Sequence, residues 1–128
     1  MVEVRLFAGL REGLRYLNRV GIGSIHNREH RQMEKCIKGL KQLGMQVFSG
    51  PNQAATVSFV PKIECEDLGD LLARRGIAVR AGIHCAPLAH ESAGTLKTGT
   101  VRVSYGHDAS PAQTFGLLRA AADLLITV

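Results

Sequence analysis

A histidine and a cysteine stand side by side in this chain, at His84 and Cys85. They lie in the stretch 80–90, RAGIHCAPLAH, which follows a predicted strand and is interrupted by glycine and proline. Strand-end loops often carry reactive groups, and cationic neighbours activate a thiol; here these would be Arg80, His84 and His90. The residues alone also allow an inert loop cysteine. A metal site of His84, Cys85 and His90 fits less well, because adjacent ligands rarely point at one ion.

The second residue that could do chemistry is Arg102, inside the predicted apolar and hydroxylic strand TVRVSYG at 100–106. A half-buried guanidinium requires an anion, and its planar fork fits a carboxylate through two hydrogen bonds. A solvent-facing arginine on an edge strand is the alternative. A thiol and an anion-binding group would then lie about one loop apart.

The three cysteines, Cys36, Cys65 and Cys85, have no C-x-x-C spacing, so they indicate neither a disulfide framework nor a zinc site. Cys36 falls on the apolar stripe of a predicted helix, and acidic residues flank Cys65 and oppose its ionisation. We therefore expect Cys85 to be the reactive thiol. A reducing cytoplasm suits this cysteine usage.

Two amphipathic helices are predicted before any strand, over 5–20 and 24–43, with apolar residues three and four positions apart. The apolar residues of the first helix are Leu6, Phe7, Leu10, Leu14 and Leu17. Those of the second are Ile25, Met33, Cys36, Ile37, Leu40 and Leu43, and Gly44 supplies its C-terminal stop.

The rest of the chain alternates strands and helices. Strands are predicted at 45–48, 56–60, 77–80 and 100–104, with a helix over 66–75 and an irregular stretch over 82–99. Ser110, followed three residues later by Gln113, is a capping box that opens the last helix. The residues predicted to face inward from that helix are Phe115, Leu118, Ala121, Ala122 and Leu125. This order predicts an α+β (α/β) two-layer sandwich with helices on a four-stranded mixed or antiparallel sheet.

The length of 128 residues predicts one domain, 1–128, and the net charge of +5 is concentrated before residue 42. Arg11, Arg15 and Arg19 form a row that could meet phosphates, but no aromatic platform or second basic cluster accompanies it. A solvated or docking face is the better interpretation, and we expect no nucleic-acid partner. His26 and His30 have metal-ligand spacing, yet a solvated pair is again the simpler reading.

The chain has no apolar run near the roughly 18 residues that a bilayer requires, and its first residues lack a signal-peptide layout. We expect no membrane partner and a cytoplasmic location.

Residues 79–106, VRAGIHCAPLAHESAGTLKTGTVRVSYG, resemble the C-terminal part of class V aminotransferase-like enzymes that use pyridoxal phosphate, most closely the cysteine desulfurase branch. The similarity extends to AGLREGLRYLNRVGIGSIHNREH, TVSFV and EDLGDLLARRGIAVRAG, and so covers nearly the whole chain. It implies the small domain of a fold-type I enzyme. It also implies that Cys85 accepts sulfur as a persulfide and that Arg102 holds the substrate carboxylate, with Arg80, His84 and His90 in supporting roles.

The chain departs from this family in one large respect. The family's large domain carries the cofactor on a lysine usually preceded by histidine, and none of Lys35, Lys38, Lys41, Lys62 and Lys97 follows a histidine. We therefore expect the chain to lack the cofactor-binding domain, to bind no pyridoxal phosphate and to be inactive alone. The partners expected are that missing domain, a sulfur-acceptor protein and, through apolar helix surface, a second copy.

Two points stay open on the sequence. Desulfurase, selenocysteine lyase and transaminase activities are all compatible with the resemblance, since cofactor-side residues choose the leaving group. A stand-alone sulfur-accepting or protein-interaction module is the alternative to an enzyme's small domain.

Overall fold

Two helices that meet at a single glycine form the first third of the chain. In the computed structural model, which describes residues 2–126 with side chains for 4–124, α1 spans Val2–Val20 and α2 spans Ile22–Gln42. Gly21, at φ +86°, provides the whole change of direction, so α2 begins two residues before its predicted start. Both predicted helices are confirmed.

The sheet has four strands in the order β1-β2-β4-β3, antiparallel throughout. Its strands are β1 Gln46–Phe48, β2 Thr56–Val60, β3 Arg80–Gly82 and β4 Thr100–Ser104. The remaining helices are α3 Cys65–Arg74, α4 Pro87–Ser92 and α5 Pro111–Ile126. The predicted α+β architecture is confirmed, and the sheet is antiparallel rather than mixed.

One face of the sheet forms the core with α2, α3 and α5. Along β2 and β4 the side chains alternate, so that Val57, Phe59 and Val101 are fully buried. They pack in one cluster with Leu40 of α2 and Leu72 of α3. Burying each such side chain stabilises the fold by about 1.5–3 kcal/mol, and this alternation leaves the polar residues of the same strands on the opposite face.

The third strand lies further along the chain than the predicted 77–80. Gly76, at φ +73°, ends α3 in a Schellman motif in which the Ile77 N–H donates to the Leu72 carbonyl at 3.0 Å. The Ile77 N–H is therefore used at the end of the helix and is not available to pair with a neighbouring strand. Pairing therefore starts at Arg80, and Ile77 packs instead at the edge of the core.

The stretch 82–99 was predicted to be irregular, which is wrong for its middle: α4 occupies Pro87–Ser92. Proline at the first helical position suits a helix start, because its missing N–H would have no partner there. Six residues are too few for an apolar periodicity to be visible in the sequence.

The capping box of α5 is confirmed: the Ser110 N–H donates to Gln113 Oε1 at 2.8 Å, and the Gln113 N–H donates to Ser110 Oγ at 3.4 Å. The predicted inward face is wrong at Phe115, which is 66% exposed, whereas Leu117 and Ala120 are buried. Ala121 is buried as predicted, and Ala122 and Leu118 are half-buried. The Leu125 side chain lies outside the described residues.

The apolar stripe of α1 lies open to solvent. Its exposed fractions fall from 70% at Phe7 to 60% at Leu10 and 39% at Leu17. α1 packs against α2, and a hydrogen bond between Tyr16 Oη and His107 Nε2 ties it to the segment between β4 and α5. This helix therefore presents an apolar surface that the described chain does not cover.

Candidate functional site

The site lies on the face of the sheet opposite the core. Register places Arg102 of β4 directly between Ser58 of β2 and Arg80 of β3, and Ser58 in turn pairs with Phe48 of β1. Side chains at opposite positions of antiparallel strands share a face. A row of phenyl, hydroxyl, guanidinium and guanidinium groups therefore crosses the open face.

Cys85 stands on a tight turn at the end of β3. His84 and Cys85 both have left-handed backbone, at φ 56° and 58°, and the Ala86 N–H donates to the Ile83 carbonyl at 3.0 Å. Non-glycine residues pay about 1–2 kcal/mol each for this conformation. The turn leaves the Cys85 thiol exposed, with Arg80 Nη2 only 3.8 Å from its Sγ.

His84 faces the opposite way, into the protein. Its Nε2 lies 3.0 Å from Thr100 Oγ1 in a hydrogen bond, whereas its buried Nδ1 has no partner among the described residues. Burial lowers the pKa of His84 below its ordinary value, and electrostatic interactions with Arg102, His90 and Arg80 lower it further. His84 is therefore a neutral imidazole at neutral pH, in a cavity whose charge comes from arginine.

His90 is held by the end of α4. It is 6% exposed, and its Nδ1 lies 2.8 Å from Thr95 Oγ1 in a hydrogen bond. Gly94, at φ +70°, turns the chain back so that the Thr95 N–H donates to the His90 carbonyl at 2.8 Å. The His90 and His84 rings are thereby brought to a centroid separation of 5.7 Å.

These residues surround an open cavity of about 360 Å³. Its lining is Phe48, Ser58, His84, Ala86, Ala89, His90, Ala93, Thr95, Thr100 and Arg102. Arg102 is half-buried, and its Nε is buried without a hydrogen-bond partner among the described residues. Because a desolvated guanidinium needs an acceptor, the cavity is suited to a small anion.

The other two cysteines are enclosed. Cys36 is fully buried, and burial raises its pKa. Cys65 is 1% exposed and donates to Glu66 Oε2 at 2.9 Å. Burial first, and that hydrogen bond second, raise the pKa of Cys65 to about 11, so its thiol stays protonated at neutral pH. Of the three, only Cys85 is exposed.

The structure brings the predicted site residues together. His84, His90 and Arg102 line the cavity. Cys85 follows His84 in the chain, and Arg80, which contacts Cys85, is the cross-strand partner of Arg102. Sequence reasoning missed Ser58, Thr100 and Phe48. The alternation of β2 contains the signal for Ser58, because a hydroxyl between two inward residues must face outward.

The basic and histidine patterns of the N-terminal helices lie away from this cavity. Arg11 Nε and Arg15 Nη1 lie 3.4 and 2.8 Å from the same Glu12 oxygen, and these side chains are exposed. His26 and His30 have ring centroids 3.9 Å apart. Within residues 2–126, no three histidine, cysteine or acidic side chains are grouped to hold a metal ion, and no helix has the length and apolarity to cross a bilayer.

Pyridoxal phosphate does not fit the residues of this chain alone. A resident aldehyde cofactor requires a lysine and, at its pyridine nitrogen, an acid. The cavity lining in the described part of the chain contains neither, and all five lysines are exposed. What the cavity does contain is the half-buried guanidinium of Arg102.

Known proteins are similar to this chain in both sequence and fold. A probable cysteine desulfurase of Xylella fastidiosa (strain 9a5c) is 40% identical over 83 residues, which are 62% of this chain and 20% of the relative. One from Pyrococcus abyssi is 34% identical over 103 residues, 76% of this chain and 25% of the relative. The chain thus spans a fifth to a quarter of the length of these relatives.

The apo structure of cysteine desulfurase from Thermococcus onnurineus NA1 superposes with a TM-score of 0.87 at 31% identity, covering 94% of this chain and 30% of that one. A cysteine desulfurase from Escherichia coli has the same fold, with a TM-score of 0.82 at 24% identity over 90% of this chain and 29% of its own. The sequence pattern of the family "Aminotransferase class-V" matches residues 2–113. With this match over most of its length and a fold shared with solved cysteine desulfurases, the chain belongs to the aminotransferase class-V family.

Proposed function

We propose that this chain acts as the small domain of a pyridoxal-phosphate-dependent cysteine desulfurase, supplying the thiol that accepts sulfur and the arginine that binds the substrate carboxylate. One observation carries the proposal: the exposed Cys85 lies 3.8 Å from Arg80, and Arg102, the cross-strand partner of Arg80, has a buried Nε with no hydrogen-bond partner among the described residues. The similarity to cysteine desulfurases supports the same assignment.

Arg102 would hold the α-carboxylate of the substrate. Its guanidinium can donate two parallel hydrogen bonds to a carboxylate, and Ser58, the cross-strand neighbour of Arg102, places a hydroxyl on the same face. The phenyl ring of Phe48 forms an apolar wall beside them. A small amino acid would thus be oriented with its carboxylate toward the sheet.

Cys85 would receive the sulfur as a persulfide. Arg80 Nη2 lies 3.8 Å from Cys85 Sγ, so the guanidinium would stabilise the negative charge of a persulfide formed there. Because Cys85 is on an exposed turn, the persulfide could then be presented to an acceptor protein. His84 and His90, fixed by Thr100 and Thr95, would keep the wall of the cavity in place without adding charge at His84.

The cofactor would come from outside this chain. When bound, pyridoxal phosphate withdraws electrons from the substrate's α-carbon and so makes its carbon–sulfur bond breakable. The exposed stripe of α1, at Phe7, Leu10 and Leu14, offers an apolar surface on which a cofactor-bearing domain could pack. The chain alone would then bind no stoichiometric cofactor and would release no sulfur from cysteine.

A chimera tests this proposal. The chain would replace the region of the Thermococcus onnurineus enzyme with which it superposes, leaving that enzyme's remaining 70% to bind the cofactor, since this chain covers 30% of it. We expect persulfide on Cys85 and, once dithiothreitol is added to reduce that persulfide, sulfide release from cysteine. Cys85→Ala should abolish both, and Arg102→Lys should raise KM for cysteine by about tenfold, because lysine lacks the planar fork.

Arg5→Gln, an exposed change on α1 outside the cavity, is the matched control and should leave the kinetics unchanged. Absorbance of the bound cofactor shows that each chimera is assembled. Turnover by a cofactor-loaded Cys85→Ala chimera equal to that of the parent would refute the assignment of Cys85.

A further inference from the structure

Two arginines face each other across the sheet with no acid between them. Arg80 and Arg102 are direct cross-strand partners, and like charges at such positions repel. Among the described residues, the ion pairs formed are Arg11 and Arg15 with Glu12 and Arg75 with Asp123, so neither of these two arginines is in one. An anion with two negative charges would neutralise both guanidinium groups, whereas a carboxylate neutralises one.

Further hydrogen-bonding groups lie beside Arg102 in the cavity. Ser58, the other cross-strand neighbour of Arg102, offers a hydroxyl, whereas the Thr100 hydroxyl is already hydrogen-bonded to His84 Nε2. Arg102 Nε and His84 Nδ1 are both buried without a partner in the described part of the chain. No carboxylate lines the cavity there. The donor set therefore suits the several oxygens of an oxyanion.

The thiol is at the edge of the same group. Cys85 Sγ lies 3.8 Å from Arg80 Nη2, and the flanking residues His84 and Ala86 both line the cavity. An oxyanion bound by Arg80 and Arg102 would therefore lie next to the Cys85 thiol. None of these contacts requires a residue from another chain or a cofactor.

We propose that this domain by itself takes sulfur from a small dianionic sulfane-sulfur donor, in which the transferable sulfur is bound to a sulfonate-type oxyanion. The Cys85 thiolate attacks the terminal sulfur and a new S–S bond forms. The S–S bond of the donor breaks, and its electron pair leaves with sulfite, whose charge Arg80 and Arg102 stabilise. No net oxidant or reductant is needed. A nucleophile such as cyanide then removes the terminal sulfur of the Cys85 persulfide and regenerates the thiolate.

This activity shares with the proposed function only the role of Cys85 as sulfur acceptor, and the two can fail separately. Desulfuration of cysteine requires the cofactor domain, whereas transfer from an oxyanion donor is measured on the 128-residue chain alone. Failure with the oxyanion donor alongside an active chimera would refute this inference and leave the proposed function intact.

The experiment uses thiosulfate as the probe and the purified chain without pyridoxal phosphate. We expect saturable sulfite release, a mass increase of one sulfur atom on the peptide that contains Cys85, and thiocyanate formation when cyanide is added. Cys85→Ala should lose all three signals. Arg80→Gln and Arg102→Gln should each lower sulfite release about tenfold at subsaturating thiosulfate, the effect of removing one charge-assisted contact, and Arg80→Lys should recover part of the loss.

Two controls make the result decisive. Arg5→Gln, which removes an exposed positive charge far along the chain from the cavity, should match the parent protein, so that a general effect of net charge is excluded. Iodoacetamide labelling of Cys85 shows that its thiol is accessible in every variant. An alkylatable Cys85 that gains no sulfur from millimolar thiosulfate would overturn the inference, as would rates that are equal in the parent and both glutamine variants.

Discussion

The neutral state of His84 follows from where its ring is placed. Burial, aided by electrostatic interactions with Arg102, His90 and Arg80, lowers its pKa below the ordinary 6.5. Between the lowered pKa and pH 6.5, His84 therefore binds a proton more readily in the unfolded chain than in the folded protein. The contribution of His84 to stability is fully present above that window and is lost as the pH falls through it.

We expect acid to weaken the parent protein more than a His84→Asn variant, since asparagine tolerates the left-handed backbone and does not titrate. Urea unfolding at about pH 7.5 and about pH 5 measures the free energy of unfolding at each end of the window. His26→Asn, at an exposed histidine of α2, serves as the control and should keep the parent's pH dependence. If the free energy of unfolding of the His84→Asn variant fell between the two pH values as much as that of the parent, His84 would not be the source of the pH dependence.

Among the residues of the site, the charged and nucleophilic ones were predicted from the sequence, and the neutral ones were missed. Cys85 and Arg102 stand out by type, because a thiol in a loop and a cation in an apolar strand both call for explanation. Ser58 and Thr100 are ordinary strand residues, and their place in the cavity depends on the cross-strand register with Arg102 and on the turn at His84. Register is a property of pairing between distant segments, so no local pattern reveals it.

The short helix α4 positions one wall of the cavity through its two ends. The helix begins at Pro87. Just beyond its end, the left-handed backbone of Gly94 turns the chain so that Thr95 can form a hydrogen bond with His90. An added methyl group at Gly94 would meet nothing within 4 Å, so its cost is conformational and not a clash. The position of His90 in the cavity wall therefore depends on the ability of Gly94 to adopt left-handed backbone.

Gly94→Ala should lower the free energy of unfolding by about 1 kcal/mol, the cost of left-handed backbone for alanine. Gly116→Ala is the matched change: it lies within α5, has no atom within 4 Å of the new methyl group, and should raise the free energy by about 0.5–1 kcal/mol. Urea titrations at one pH compare the two. Equal shifts in the same direction would show that the left-handed backbone at Gly94 is not the cause.

Elements were predictable where their own sequence decides them. The capping box of α5 and the glycine after α2 act within a few residues, and both predictions are confirmed. β3 was misplaced because the Ile77 N–H is used by the end of α3. The inward face of α5 was misjudged at Phe115 because a helix that is apolar on several sides has no strong periodicity, and packing chooses the face.

Across the whole molecule, the largest departure from an ordinary monomer is the open stripe of α1. Apolar residues recur three and four positions apart at Phe7, Leu10, Leu14 and Leu17, and all are exposed. Such a continuous surface is typical of a protein interface. When no other domain covers this stripe, a second copy of the chain can pack against it.

We therefore expect the isolated chain to associate as its concentration rises, with Leu10→Glu combined with Leu14→Glu shifting it to monomer. Charges buried at such an interface are costly, so two of them should abolish association. Ala8→Glu, on an exposed position of the same helix outside the stripe, is the control. Light scattering coupled to gel filtration reports the mass, and a parent protein that is monomeric at every concentration would refute this expectation.

The two edge strands of the sheet limit the ways in which copies of this chain can associate. β1 and β3 are the outer strands, and each is only three residues long. Edges this short offer few free backbone groups to a foreign strand, which is a known protection against amyloid-like stacking. Assemblies of this domain should hence grow through helix surfaces, remain reversible on dilution and fail to bind fibril-specific dyes.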